Sequence, residues 1–285
     1  MPTTRLDDRA IVSVSGPESE HFLQNIVTAD LDVLNPGEAK PSALLTPQGK
    51  ILFDFLISRN GADHFRLECR ADIANDFVRR LALYKLRAKA EISKQDESLV
   101  AVSWGIESAA SENESGWLRD TRFPPASPVW RSYQDQAADS DVAAWHAFRV
   151  SNGIAESGAD YALGDTFAHD VLLDQMDGIG FRKGCYVGQE VVSRMQHRGT
   201  ARRRVLIVAG DTLPSPGTEI VANGRPLGAL GSAAGGKGLA ILRIDRVKDA
   251  LDAGVPIEAN GVPVSVAIPA WATFTYPEQA SSEEA

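Results

Sequence analysis

Apolar and polar positions in the first 94 residues change between a two-residue and a helical period every ten to fifteen residues. Ala10-Ile-Val-Ser-Val-Ser-Gly-Pro alternates and stops in a turn, which predicts a strand. Pro17 then opens a helix: Glu18, Ser19 and Glu20 suit its first turn, and Phe22, Leu23, Ile26 and Val27 supply an apolar face. Ala43-Leu-Leu-Thr, Pro47-Gln-Gly-Lys and Ile51-Leu-Phe-Asp-Phe-Leu-Ile-Ser predict a hairpin. A further strand follows at His64-Phe-Arg-Leu-Glu-Cys. A helix over 71–85 places Ile73, Phe77, Leu81 and Tyr84 on one face, and Ala88-Lys-Ala-Glu-Ile returns as a strand.

From Ser108 to Ser140 the periodicity fails; Ser, Glu, Pro and Asp dominate and predict a loop-rich section. A short helical pattern resumes from Trp145 to Val150, and 153–164 is irregular. After Gly199 five or so short apolar runs separated by Gly and Pro predict a small β-barrel. The division expected is a first domain over 1–200, a barrel over 201–276 and a disordered tail over 277–285.

Composition narrows the function classes. The fractions of hydrophobic and charged residues, 44% and 24%, are those of a globular protein. A net charge of −9 repels nucleic acid and anionic membrane, so an anionic ligand needs a local basic patch. No run of residues is apolar enough to span a membrane, and the acidic N-terminal segment lacks the marks of a signal or transit peptide, so the cytoplasm is expected. Only Cys69 and Cys185 are present, so neither a disulfide framework nor a stable metal centre within one chain is expected.

Chemistry concentrates in 178–204. Glycines at 178, 180, 184 and 188 permit tight turns, and Gln189 to His197 is predicted helical with Val191, Val192 and Met195 inward. Cys185 then precedes a helix N-terminus and lies two residues from Lys183, a setting that favours thiolate. A buried, inert cysteine packed by Tyr186 is the alternative. Arg182, Lys183, Arg194, Arg198, Arg202, Arg203 and Arg204 stand against the single acid Glu190, and could hold an anionic tail or form a solvated basic face.

The run Lys183, Gly184, Cys185, Tyr186, Val187, Gly188, Gln189, Glu190 resembles the K-G-C-F/Y-x-G-Q-E signature of YgfZ-type proteins. Gly16-Pro-Glu-Ser-Glu-His-Phe-Leu-Gln, Leu45-Thr-Pro-Gln-Gly-Lys-Ile, Tyr84-Lys-Leu-Arg-Ala-Lys-Ala-Glu-Ile and Arg149-Val-Ser-Asn-Gly-Ile-Ala-Glu agree in order, so the resemblance covers about residues 8 to 275. It implies an α+β fold like that of the glycine-cleavage T-protein (GcvT), an aminomethyltransferase that uses tetrahydrofolate. In that fold, mixed sheets and helices surround a central hole, and a small C-terminal β-barrel follows.

By this resemblance Asp54 holds the place of the T-protein's folate-contacting aspartate. Arg149 becomes a candidate folate ligand and Trp145 a candidate stacking surface. The T-protein's Gly-Tyr-Thr-Gly-Glu-Asp-Gly-x-Glu segment has no counterpart here, which argues against aminomethyl transfer. The role implied is tetrahydrofolate binding in support of iron–sulfur enzymes, tRNA-modifying ones included, with client enzymes or assembly proteins as partners. Cys185 and Lys183 are its expected functional pair. A folate-dependent one-carbon transferase or demethylase is the second reading. An RNA-contacting module using Arg194 to Arg204 is the third, disfavoured by net charge.

Overall fold

A computed structural model describes residues 1–97, 99–105, 116–199 and 201–277. The N-terminal part supplies β1 (Thr3–Arg5), β2 (Arg9–Ser15), α1 (Ser19–Gln24), β3 (Glu38–Leu45), β4 (Ile51–Arg59), β5 (His64–Arg70), α2 (Ala74–Lys85) and β6 (Glu91–Lys94). It continues with β7 (Ala101–Trp104), β8 (Trp117–Asp120), β9 (Val129–Ser132), α3 (Val142–Ser151) and α4 (Gln189–Arg198). The remainder is β10 (Arg203–Ala209), β11 (Glu219–Ala222), β12 (Arg225–Ala234), β13 (Lys237–Arg243), α5 (Ile244–Asp252), β14 (Ile257–Ala259), β15 (Val262–Pro263) and β16 (Ser265–Ala267).

Among the described residues nine strands form one sheet in the order β1-β7-β9-β8-β3-β4-β5-β2-β6. Its pairs are antiparallel except β3 with β8. The predicted hairpin is its centre: Ala43 faces Asp54 across β3 and β4. Alternation along β4 sends Phe53, Phe55 and Ile57 into a core under α1 and α2, and Asp54 to the other face. Phe77 of α2 meets Phe53 and Phe55 with ring centroids 4.9 and 5.0 Å apart, a separation at which aromatic pairs attract. Leu81 is buried beside them, and Ile73 and Tyr84 pack partly buried against the same cluster. The second sheet, β15-β14-β11-β12-β13-β10-β16, is antiparallel throughout and forms the nearly closed barrel.

Two segments hold elements beyond those expected from the sequence. The 108–140 section is not uniformly loop: β8 and β9 lie within it and join the large sheet, whereas 106–115 falls outside the described residues. These strands escape a hydrophobic reading because Asp120 and Arg131, both fully buried, occupy strand positions. The segment after Gly199, expected as short strands, also holds the amphipathic helix α5. It starts directly after β13 with no side-chain cap and buries only Ile244, Val247 and Ala250. The expected tail beyond Pro277 lies outside the described residues.

Candidate functional site

The signature loop is built from below. Gly178 N–H donates to Leu173 O, Gly180 N–H donates to Thr28 O, and Thr28 Oγ1 donates back to Gly178 O at 2.7 Å. Next, the Lys183 side chain dives inward and its ammonium donates to Val27 O (2.9 Å) and Ala29 O (2.6 Å). Burial lowers its pKa to about 8, against the pull of Asp30 and Asp32. Tyr186 is buried with Leu45, Ile51 and Val192, and its ring lies 5.3 Å from the Lys183 ammonium. Lys183 and Tyr186 therefore pin the loop at two points. Gly184 and Cys185, between them, are exposed, and Phe181 is 41% exposed on the same loop.

The helix that follows matches its prediction closely, running Gln189–Arg198 with Val192 buried and Val191 and Met195 half-buried. Gly188 precedes it with φ +81°, and a Cβ there would lie 2.7 Å from Thr46 O and 3.0 Å from Leu45 Cβ. Gly49 (φ +78°), in the β3–β4 turn, leaves the matching space for Val191. Both signature segments thus carry glycine because the helix start sits directly on the hairpin turn. Gly184 differs: a Cβ there meets nothing within 4 Å. Gly188→Ala should destabilise the fold by about 2 kcal/mol or more, from left-handed strain plus the clash. Gly184→Ala should stay within about 0.5 kcal/mol of wild type. Thermal unfolding of the two variants checks the contrast.

Asp54 sits elsewhere, at the back of the large sheet. Ser157 Oγ donates to its Oδ1 at 2.6 Å and Tyr161 OH to its Oδ2 at 2.9 Å. Burial, reinforced by Asp54, pushes the Tyr161 pKa well up, so this phenol remains a donor. The adjoining cavity, lined by Arg9, Ser42, Asp54, Glu68, Arg122 and Tyr161 among others, is only about 40 Å³.

Around it lies a buried ionic lattice that the sequence reading missed. Arg131 reaches Glu68 and Asp120, both at 3.1 Å; Arg122 grips Asp120 at 2.7 Å; Arg9 reaches Glu156 at 2.7 Å. Arg149 links Glu156 (3.3 Å) and Asp160 (2.8 Å), and donates to Ser232 Oγ on β12 at 2.7 Å. Burial alone would raise the Glu156 pKa, but Arg9, Arg149 and Arg122 outweigh it and hold the carboxyl well below the usual range. One signal was available: Glu156 ends the segment that begins at Arg149, and the two pair.

The two remaining folate candidates are spent in this core. Arg149 is 1% exposed and engaged through all three of its side-chain nitrogens, and Trp145, also 1% exposed, is packed among Trp104, Phe123 and Phe148. Small-molecule sites occupy roughly 300–1,000 Å³. A 40 Å³ cavity whose aspartate already accepts two hydroxyl hydrogens does not fit a pterin.

Cys185 and Asp54 thus belong to separate places, and only the first presents an open reactive group. Cys69 is buried, and burial pushes its pKa up to about 12. Among the described residues no group of three or more His, Cys, Asp or Glu could hold a metal ion, and no helix is long and apolar enough to cross a membrane.

Residues 202–274 match the family described as the CAF17 C-terminal beta-barrel domain. In fold, the chain is similar to the glycine cleavage system aminomethyltransferase T of Bartonella henselae, with a TM-score of 0.66 and 14% identity over 94% of this chain and 84% of that one. Human mitochondrial iron–sulfur cluster assembly factor IBA57 is 28% identical, with 94% of this chain and 84% of that protein covered. The mouse protein of the same name is 30% identical with the same coverage. An exposed thiol on a pinned loop, a barrel of the CAF17 type and a mouse relative aligned over nearly the whole chain converge, and the chain belongs to the family of the iron–sulfur cluster assembly factor IBA57.

Proposed function

We propose that this protein supports the assembly or maintenance of iron–sulfur enzymes by presenting Cys185 to a cluster that a partner protein also holds. The observation that carries this reading is the loop itself: Lys183 and Tyr186 are anchored in the protein, whereas the thiol stands in solvent. One thiolate is too few for a resident cluster, so a cluster in transit takes its other ligands from the partner. The bare backbone at Gly184 lets that partner approach closely. Lys183 acts as a positioning residue for the loop. Clients that modify tRNA fall within this reading.

Deleting the gene from its host should lower the activity of iron–sulfur enzymes, and re-expression should restore it; unchanged activity contradicts the proposal.

The tetrahydrofolate reading needs the cavity beside Asp54 to open. Anaerobic calorimetry of tetrahydrofolate against wild type and Asp54→Ala decides it. Binding that weakens about tenfold in the variant, the worth of one charge-assisted hydrogen bond, supports an inherited pocket. No heat from wild type means that only the scaffold was inherited.

A further inference from the structure

A basic cleft lies between the β3–β4 turn, α4 and the start of the barrel. It holds about 440 Å³ and is lined by the cations Lys50, Arg202, Arg203 and Arg243 and by the acids Asp165 and Asp170. A second recess of about 540 Å³ shares Asp170, Arg203 and Arg243 with it. Either volume exceeds the 40 Å³ beside Asp54 by an order of magnitude and falls in the range of small-molecule sites.

The charges in this cleft are unevenly matched. Arg243 is held by Asp245 at 2.6 Å. Lys50 lies 3.7 Å from Asp165 Oδ1 and 3.7 Å from the Phe167 ring centroid. The next arginine in the run, Arg204, turns inward to Asp174 and His169 O. Arg202 and Arg203 are exposed, and neither side chain makes a hydrogen bond or ion pair among the described residues. Both line the same cleft and are open to a counter-charge, and in a chain of net charge −9 this concentration of cations is local. At the floor sits Asp170, 5% exposed, its Oδ2 accepting the Phe167 N–H. Burial pushes its pKa up to about 6, opposed by that hydrogen bond and by Lys50, Arg203 and Arg204.

We propose that this cleft binds a small polyanion, its phosphate or clustered carboxylate groups taken by Arg202 and Arg203 with Lys50 and Arg243 at the sides. Guanidinium forks match such oxyanions two bonds at a time. Asp170 tunes the site: as carboxylate it opposes the ligand's charge.

Calorimetric titration of the full chain with pyrophosphate and, separately, citrate tests the proposal. Saturable one-to-one binding of either probe is expected, with at least a tenfold loss in the Arg202→Ser/Arg203→Ser double variant. These exposed, unpaired residues can change without disturbing the fold, which circular dichroism confirms. Asp170→Asn, which keeps an acceptor for Phe167 N–H, should tighten binding several-fold at neutral pH. Pyrophosphate alone binding identifies a phosphate ligand, citrate alone a polycarboxylate, and both a general oxyanion site. No saturable binding of either probe, or equal binding by the double variant, overturns it.

Discussion

Arg149→Met should lower the unfolding free energy by about 3–5 kcal/mol, the cost of removing one partner from a buried ion pair. Arg149 is 1% exposed and binds five groups: Glu156, Asp160, Ile154 O, Ser232 Oγ and His146 Nδ1. Ser232 belongs to the barrel and Glu156 pairs with Arg9 of the first sheet, so this one side chain ties both sheets together. Methionine fills the volume but leaves Glu156 with Arg9 as its closest cation and strips Asp160 of the one ion-pair partner it has among the described residues. Since domains are stable by only about 5–15 kcal/mol, the loss is a large fraction of the whole.

The pH dependence follows from the sign of the carboxylate shifts. Arg122 and Arg131 overcome burial and lower the Asp120 pKa, and the Glu156 pKa is lowered as well. Such groups stabilise the fold above their unfolded pKa and lose that contribution as pH falls below about 4. The gap between wild type and Arg149→Met should therefore narrow in acid. Urea unfolding at pH 7 and pH 3.5 measures both effects; a difference under 1 kcal/mol at neutral pH would show that the lattice is dispensable.

What could be read in the sequence was whatever the hydrophobic pattern controls. The segment Ile51-Leu-Phe-Asp-Phe-Leu-Ile-Ser reads as one arm of a hairpin, and it forms β4 paired with β3. Helix α2 buries Phe77 and Leu81 of its predicted face, and α4 begins at the expected Gln189. The pattern fails where charge is buried. Arg131 and Asp120 read as loop because charged residues are almost never inside unless paired, and pairing is a property of the fold.

The site was legible in identity and not in contacts. The resemblance singled out Lys183, Cys185 and Asp54. Nothing local could show that the Lys183 ammonium lands on carbonyls 154 and 156 positions away, or that the donors to Asp54 come from 103 and 107 positions away. Proximity in sequence had paired Lys183 with Cys185 as its stabilising charge. The folded chain directs that charge inward instead, and the loop gains rigidity from it.

Cys185→Ser should leave the fold intact and remove the function. The thiol is exposed and lies between anchors that do not use it, so an oxygen in place of sulfur costs under about 0.5 kcal/mol. A hydroxyl, however, is a poor ligand for cluster iron, which is held by thiolates. Cys69→Ser is the control: this residue is buried in the core under α2, where it has no access to a partner. The most direct measurement is iron–sulfur enzyme activity in a host lacking the gene, complemented with wild type, Cys185→Ser or Cys69→Ser at matched protein levels. The account predicts recovery with wild type and Cys69→Ser and a loss of at least tenfold with Cys185→Ser. Full recovery with Cys185→Ser would contradict it.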